Sequence, residues 1–163
     1  MSSDSERKAA TEVLALCRAR NFKIATAESC TGGLVAAALT AIAGSSDVVD
    51  RGYVTYSNEA KHAMLGVPTA TLARHGAVSA QTAAAMAAGA LKNSPADLSV
   101  AITGIAGPGG GTPEKPVGTV FIALASAAGV AVDRRLNPWD RATFKEVTAT
   151  QVLERLRSQL ICA

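Results

Sequence analysis

Helix-like and strand-like segments alternate along the whole chain, no linker or repeat divides them, and alanine dominates the apolar residues. Together these features predict one α/β domain with helices on both faces of a mixed sheet. A length of 163 residues lies within the reach of one hydrophobic core, so a single domain over residues 1–163 is expected. With 34 alanines against six Phe, Tyr and Trp residues, helices should pack closely on the sheet rather than around large rings. A composition that is 48% hydrophobic and 18% charged, without blocks of like charge, places the chain among globular proteins rather than disordered ones.

The elements follow in order. Between Glu6 and Arg20 the residues Ala9, Ala10, Val13, Leu14 and Cys17 recur at helical spacing and predict an amphipathic opening helix. Phe22 to Ala27 reads as a short strand, and Gly32 to Ala43 as an alanine-rich helix ending at Gly44. Arg51 to Tyr56 carries the β-branched and aromatic residues of a strand. Asn58 is a candidate cap for a helix running to Leu65, where Gly66 and Pro68 stop it, and Ser79 for another over Ala80 to Leu91. Asp97 to Thr103 is a strand that runs into a glycine-rich loop, Gly104 to Gly111, continued by Thr112 to Pro116. Val117 to Ala125 and Val130 to Leu136 form a hairpin around Gly129, and a closing helix spans Arg141 to Leu160.

Composition excludes several functional classes. No window approaches the ~18 uninterrupted apolar residues of a membrane span. The polar start MSSDSERK lacks the apolar stretch of a secretory signal. The net charge of +3 comes from scattered Lys and Arg, not from the basic stripe that nucleic acid requires. Three cysteines, Cys17, Cys30 and Cys162, form neither an even set nor a zinc spacing, which points to a reducing cytoplasm. No metal, cofactor, nucleic acid or membrane is expected. An assembly of identical copies is compatible with the sequence, which does not set the oligomeric state.

In α/β sheets the ligand usually sits in the loops leaving the carboxyl ends of the strands. Three loops fit: Glu28 to Gly33, Tyr56 to Lys61, and Thr103 to Pro116. In the first, Ser29 stands between a strand and a helix, where free N–H groups suit an oxyanion or a phosphate. The alternative is that Ser29 or Thr31 simply caps the helix. Ala27 and Thr31 occupy the glycine positions of a nucleophile elbow, so that motif is absent. The glycine-rich loop lacks the Gly-Lys-Ser/Thr of a phosphate-binding Walker loop and the spacing of a dinucleotide fingerprint. It is either a backbone that approaches a ligand closely or a plain surface turn. Lys61, in the first turns of its helix, reads alone as a solvated charge.

Taken in sequence, five blocks change that reading. They are Thr26-Ala27-Glu28-Ser29-Cys30-Thr31-Gly32-Gly33; Tyr53-Val54-Thr55-Tyr56-Ser57-Asn58 with Lys61; Gly76-Ala77-Val78-Ser79; Thr103-Gly104-Ile105-Ala106-Gly107-Pro108; and Lys115-Pro116-Val117-Gly118-Thr119-Val120. Over about residues 8–157 the chain resembles the CinA C-terminal domain family. The resemblance implies a three-layer α/β/α sandwich with a mixed sheet. It also implies nicotinamide-nucleotide amidase activity, the hydrolysis of nicotinamide mononucleotide to nicotinic acid mononucleotide and ammonia, without a cofactor. Residue by residue it makes Ser29 the nucleophile and Lys61 the catalytic lysine, with Tyr56 a third catalytic residue nearby. It puts Cys30, Thr31, Gly32, Gly33, Thr103, Gly104, Gly107, Arg141 and Lys145 among the substrate-binding residues.

Such chemistry needs a nucleophile, a base and donors for the developing oxyanion, and does not need histidine. Lysine serves as base only when burial disfavours its charged form. One segment departs from the family pattern: Gly-Asp-Arg followed by a second arginine is replaced by Trp139-Asp140-Arg141 and Lys145. Lysine keeps the charge there but loses the bidentate fork for phosphate or carboxylate. Two functional classes follow, the amidase and a non-catalytic nucleotide-binding or regulatory module linked to competence or DNA-damage responses.

Overall fold

The computed structural model describes residues 3–162; residues 1, 2 and 163, the ends of the expected domain, lie outside it. Helix α1 (Asp4–Arg20) starts at a Ser3 cap, whose hydroxyl accepts from the Glu6 N–H. It ends with Asn21 in the left-handed region, the Asn21 N–H donating to Arg18 and the Phe22 N–H to Cys17. That double bond pattern is a helix-stop motif. It takes Phe22 out of the expected strand, and β1 begins two residues later (Ile24–Glu28).

Strands β2 (Val49–Val54), β3 (Leu98–Gly104), β4 (Thr119–Ser126) and β5 (Gly129–Leu136) complete a five-stranded sheet in the order β2-β1-β3-β4-β5. The β1 strand runs parallel to both β2 and β3, whereas β4 and β5 are antiparallel, so the sheet is mixed as expected. Its register sets Glu28 beside Val54 and Ile102, so β1, β2 and β3 release their loops at one level.

Helix α2 (Leu34–Thr40) is shorter than expected, because Gly32 and Gly33 at positive φ form a turn ahead of it. Helix α3 (Asn58–Leu65) is capped by Ser57 rather than Asn58: the Ser57 hydroxyl accepts from the Ala60 N–H at 3.0 Å. The short helix α4 (Thr69–His75) is one the sequence reading missed; it follows directly on Pro68 and has no side-chain cap to announce it. Helix α5 (Ala80–Lys92) begins at the expected Ser79 cap, and α6 (Arg141–Cys162) closes the chain.

Alternation along the strands separates two cores. Ile24, Leu98, Val100, Ile102, Val120, Ile122 and Leu124 pack with α1, α2 and α6. Ala27, Ala101, Ala123 and Ala125 face the layer of α3, α4 and α5. Small residues on this second face bring α5 close. At Gly89 an added Cβ would collide with the Leu65 carbonyl group, so the α5 to α3 contact admits no side chain there. The result is a three-layer α/β/α sandwich.

Candidate active site

The chain leaves β1 toward β2 on one side and later enters β3 on the other. This reversal of strand order opens a crevice at the carboxyl end of β1. The alternation of β1 decides what each residue does there. Glu28 falls on the side of α2, and the next residue, Ser29, emerges toward α3. The Ser29 N–H is anchored to the Ile102 carbonyl, which prolongs the β1 to β3 ladder by one rung.

Lys61 meets Ser29 from α3. Its side chain is 1% exposed, and its Nζ lies 3.0 Å from Ser29 Oγ, 2.8 Å from the Thr55 carbonyl and 3.2 Å from the Tyr56 carbonyl. These three partners exhaust an ammonium. A neutral amine keeps two N–H groups for the two carbonyls and turns its lone pair to the one partner that can donate, the Ser29 hydroxyl. Burial pushes the Lys61 pKa down from its ordinary value. A Cys30 thiolate would oppose that shift, but burial itself raises the Cys30 pKa to about 12, so the thiol stays protonated and uncharged. The same value makes Cys30 a poor competitor to Ser29 as nucleophile.

Ser29, Cys30, Tyr56, Lys61, Thr103 and Arg141 line one cavity of about 200 Å³. Sequence reasoning brought these together and did not include the remaining walls, Ala77, Val78 and Ala106. Thr103 is buried on the α5 side of β3 and donates its hydroxyl to the Ala77 carbonyl at 2.8 Å, tying the cavity wall to the loop before α5. Gly104 completes the same wall.

Tyr56, which the resemblance implies as a catalytic residue near the serine and lysine, lines the same cavity. It is 62% exposed, its hydroxyl accepts from Arg141 at 2.8 Å, and what it offers Lys61 is its backbone carbonyl. Arg141, the first residue of α6, also donates to the Gly107 carbonyl at 2.8 Å and so joins two of the three loops across the mouth. Gly107 has no room for a side chain, because a Cβ there would strike Val117.

Thr31, expected among the substrate-binding residues, does not line the cavity. Thr31 is fully buried and its hydroxyl donates to Glu28 Oε1 at 2.6 Å, which leaves only its backbone for a ligand. The donors expected at the start of α2 are likewise engaged, since Glu28 Oε1 accepts from the Val35 N–H and Oε2 from the Ala36 N–H. The N–H groups of Thr31 and Gly33, by contrast, have no acceptor among the described residues, and that of Cys30 meets only its own sulfur. Gly32 and Gly33 shape the turn without lining the cavity. Lys145 is half-buried above that turn, its Nζ 3.5 Å from where a Cβ on Gly32 would stand. Glu28 is not singled out from the sequence, although a carboxylate closing a strand with no other charged residue is a visible signal.

A larger cavity, about 510 Å³, lies at the other end of the sheet against Phe22, Leu98, Ser126 and Leu160. It contains no serine–lysine pair. Among the described residues no cluster of His, Cys, Asp and Glu could hold a metal ion, and no helix is long and apolar enough to cross a membrane.

Fold and site together define a three-layer α/β/α domain with a buried serine–lysine pair at the switch point of its parallel strands. Comparison with known proteins places it more closely: the chain belongs to the CinA C-terminal domain family, which matches residues 6–160. It is 51% identical over 153 residues to a CinA-like protein of Geobacter sulfurreducens, covering 94% of this chain and 37% of that one. A CinA-like protein of Colwellia psychrerythraea is 48% identical over 154 residues, covering 94% of this chain and 36% of the relative. The chain thus spans little more than a third of the length of these curated relatives. Its fold superposes on the crystal structure of the competence/damage inducible protein CihA from Agrobacterium tumefaciens with a TM-score of 0.93, at 48% identity and with 97% of each chain covered.

Proposed function

We propose that this chain is an amidase that hydrolyses the carboxamide of nicotinamide mononucleotide, giving nicotinic acid mononucleotide and ammonia. The observation that carries the reading is the buried contact of 3.0 Å between Lys61 Nζ and Ser29 Oγ. Neutral Lys61 takes the Ser29 proton as Oγ attacks the carboxamide carbon. The resulting oxyanion is received by the backbone N–H groups of Cys30 and Thr31, which adjoin the nucleophile in the chain. Collapse expels the amine, which leaves as ammonia after receiving the proton now on Lys61. An acyl ester on Ser29 remains. Lys61, neutral again, takes a proton from water as the hydroxide equivalent attacks the ester; the C–O bond to Ser29 then breaks, the proton passes from Lys61 to the leaving Oγ, and the carboxylate is released.

Substrate class is supported by the electrostatics of the mouth. A cavity of about 200 Å³ is smaller than the ~300–1,000 Å³ that encloses a drug-sized ligand, so the reacting ring enters and the ribose phosphate stays near the rim. Arg141 lies at that rim, and Lys145 stands over the turn at Gly32 that follows the nucleophile. The N–H groups of Gly107, Gly109 and Gly110, which have no acceptor among the described residues, add further anion donors.

A non-catalytic nucleotide-binding or regulatory role is the second reading, favoured by the names of the competence/damage-inducible relatives. Ammonia release from nicotinamide mononucleotide by the purified chain separates the two. Turnover in the wild type and its loss in Ser29→Ala support the amidase; binding without turnover in the wild type supports the module.

A further inference from the structure

Glu28 is 0% exposed, directly precedes the proposed nucleophile, and takes no direct part in the chemistry described above. A carboxylate in such a place needs hydrogen-bond partners, and each of its partners belongs to the turn or to the helix that follows Ser29. Oε1 accepts from the Thr31 hydroxyl at 2.6 Å and from the Val35 N–H at 2.9 Å; Oε2 accepts from the Ala36 N–H at 3.0 Å. The Glu28 carbonyl accepts from the Thr55 N–H at 2.9 Å, and the Thr55 carbonyl in turn holds Lys61 Nζ. One residue therefore fixes the turn that carries the hydroxyl and, through its main chain, the loop that seats the amine.

The consequence for the turn is specific. With α2 capped by an internal anion, the N–H groups of Val35 and Ala36 are closed to any ligand. Those of Thr31 and Gly33 lie between the two anchored ends with no acceptor among the described residues, and that of Cys30 meets only its own sulfur.

We propose that Glu28 is a positioning residue for the acyl-transfer site: its carboxylate locks residues 29–36 so that Ser29 Oγ stands against Lys61 Nζ with the neighbouring N–H groups free for the oxyanion. This rests on the reading of Ser29 as nucleophile. Glutamine at this position keeps the shape but presents an amide N–H₂ to one of the three donors, so one tie is lost. Thr31→Val removes a different tie and leaves the carboxylate intact.

The test is the second-order rate at which a fluorophosphonate probe labels Ser29, measured with kcat and KM for ammonia release and with circular dichroism to confirm folding. For Glu28→Gln the labelling rate and kcat are expected to fall tenfold or more, with KM changing less than twofold. For Thr31→Val the fall is expected to be about threefold, and Thr31→Ser, which restores a hydroxyl, should recover at least half of that loss. If Glu28→Gln does not fold, the valine and serine variants decide the matter. A folded Glu28→Gln that is labelled as fast as the wild type, or serine that recovers nothing lost in valine, overturns the positioning role alone. A wild-type chain that the probe never labels at Ser29 removes the nucleophile, and the role of Glu28 with it. Labelling of the wild type without ammonia release contradicts only the proposed substrate, and the labelling rates of the variants still decide the role of Glu28.

Discussion

Arg141 Nη2 donates to the Tyr56 hydroxyl at 2.8 Å while Nη1 holds the Gly107 carbonyl at 2.8 Å, so one guanidinium spans the mouth of the cavity between the β2 to α3 loop and the glycine-rich loop. The phenol is thus oriented by arginine at the rim and not by the serine–lysine pair.

Arg141→Ala is expected to raise KM for nicotinamide mononucleotide about tenfold, since bonds to a charged group contribute ~1.5–3 kcal/mol each, and to lower kcat less. Tyr56→Phe removes only the rim hydroxyl and should leave kcat within about threefold of wild type. Steady-state kinetics of both variants check this. Abolition of kcat in Tyr56→Phe would show that the phenol acts on the reacting atoms.

Recognition of the phosphate gives a second expectation. Nicotinamide riboside, which lacks the anion, should have a kcat/KM at least ~10-fold below that of the mononucleotide, the loss of one or two charge-assisted bonds. Equal values for the two compounds would contradict a cationic rim that reads phosphate. Activity on the mononucleotide should survive a chelator, as every group assigned a step is a side chain or backbone N–H.

Lys145 stands over the Gly32 turn, at a position where the family resemblance leads us to expect arginine. Restoring the planar fork in Lys145→Arg should lower KM for the mononucleotide and leave that for the riboside unchanged, because only the phosphate gains a bidentate partner. A KM that moves equally for both would place residue 145 away from the phosphate.

Much of this arrangement was legible in the sequence. Strand-to-helix alternation disclosed the sandwich, and Ser29, Lys61 and Thr103 could be placed in loops leaving one end of the sheet. What was hidden depended on competition between local signals. Asn58 and Ser57 are both good caps, and only tertiary structure decides that Ser57 bonds the Ala60 N–H. Phe22 has strand propensity, yet the helix-stop bond to Cys17 claims it. Thr31 is expected among the substrate-binding residues only through the family resemblance, and no local signal shows that the buried Glu28 takes its hydroxyl. Helix α4 carries no side-chain cap that a sequence reading could detect.

Stability should report the burial of Lys61 independently of activity. Its folded pKa is depressed below the 10.5 of an ordinary lysine. Between those two values the unfolded chain binds more protons, so stability rises with pH across that window and is lost as pH falls through the folded value. Lys61→Met removes this dependence. Variant stability minus wild-type stability, from urea unfolding at pH 7 to 10, should therefore decrease as pH rises. A difference that stays constant would mean that Lys61 titrates alike in both states.

The most direct measurement is ammonia release from nicotinamide mononucleotide by Lys61→Arg and by wild type across pH. Wild-type kcat/KM should rise with pH along a limb set by a group titrating below 10.5, as neutral Lys61 becomes available to take the Ser29 proton. Arginine keeps the charge but does not deprotonate, so Lys61→Arg, checked for folding by thermal melts, should lose at least the ~100-fold that general base catalysis supplies, and be as damaged as Lys61→Ala. Near-normal turnover by the folded arginine variant would contradict a Ser29–Lys61 mechanism.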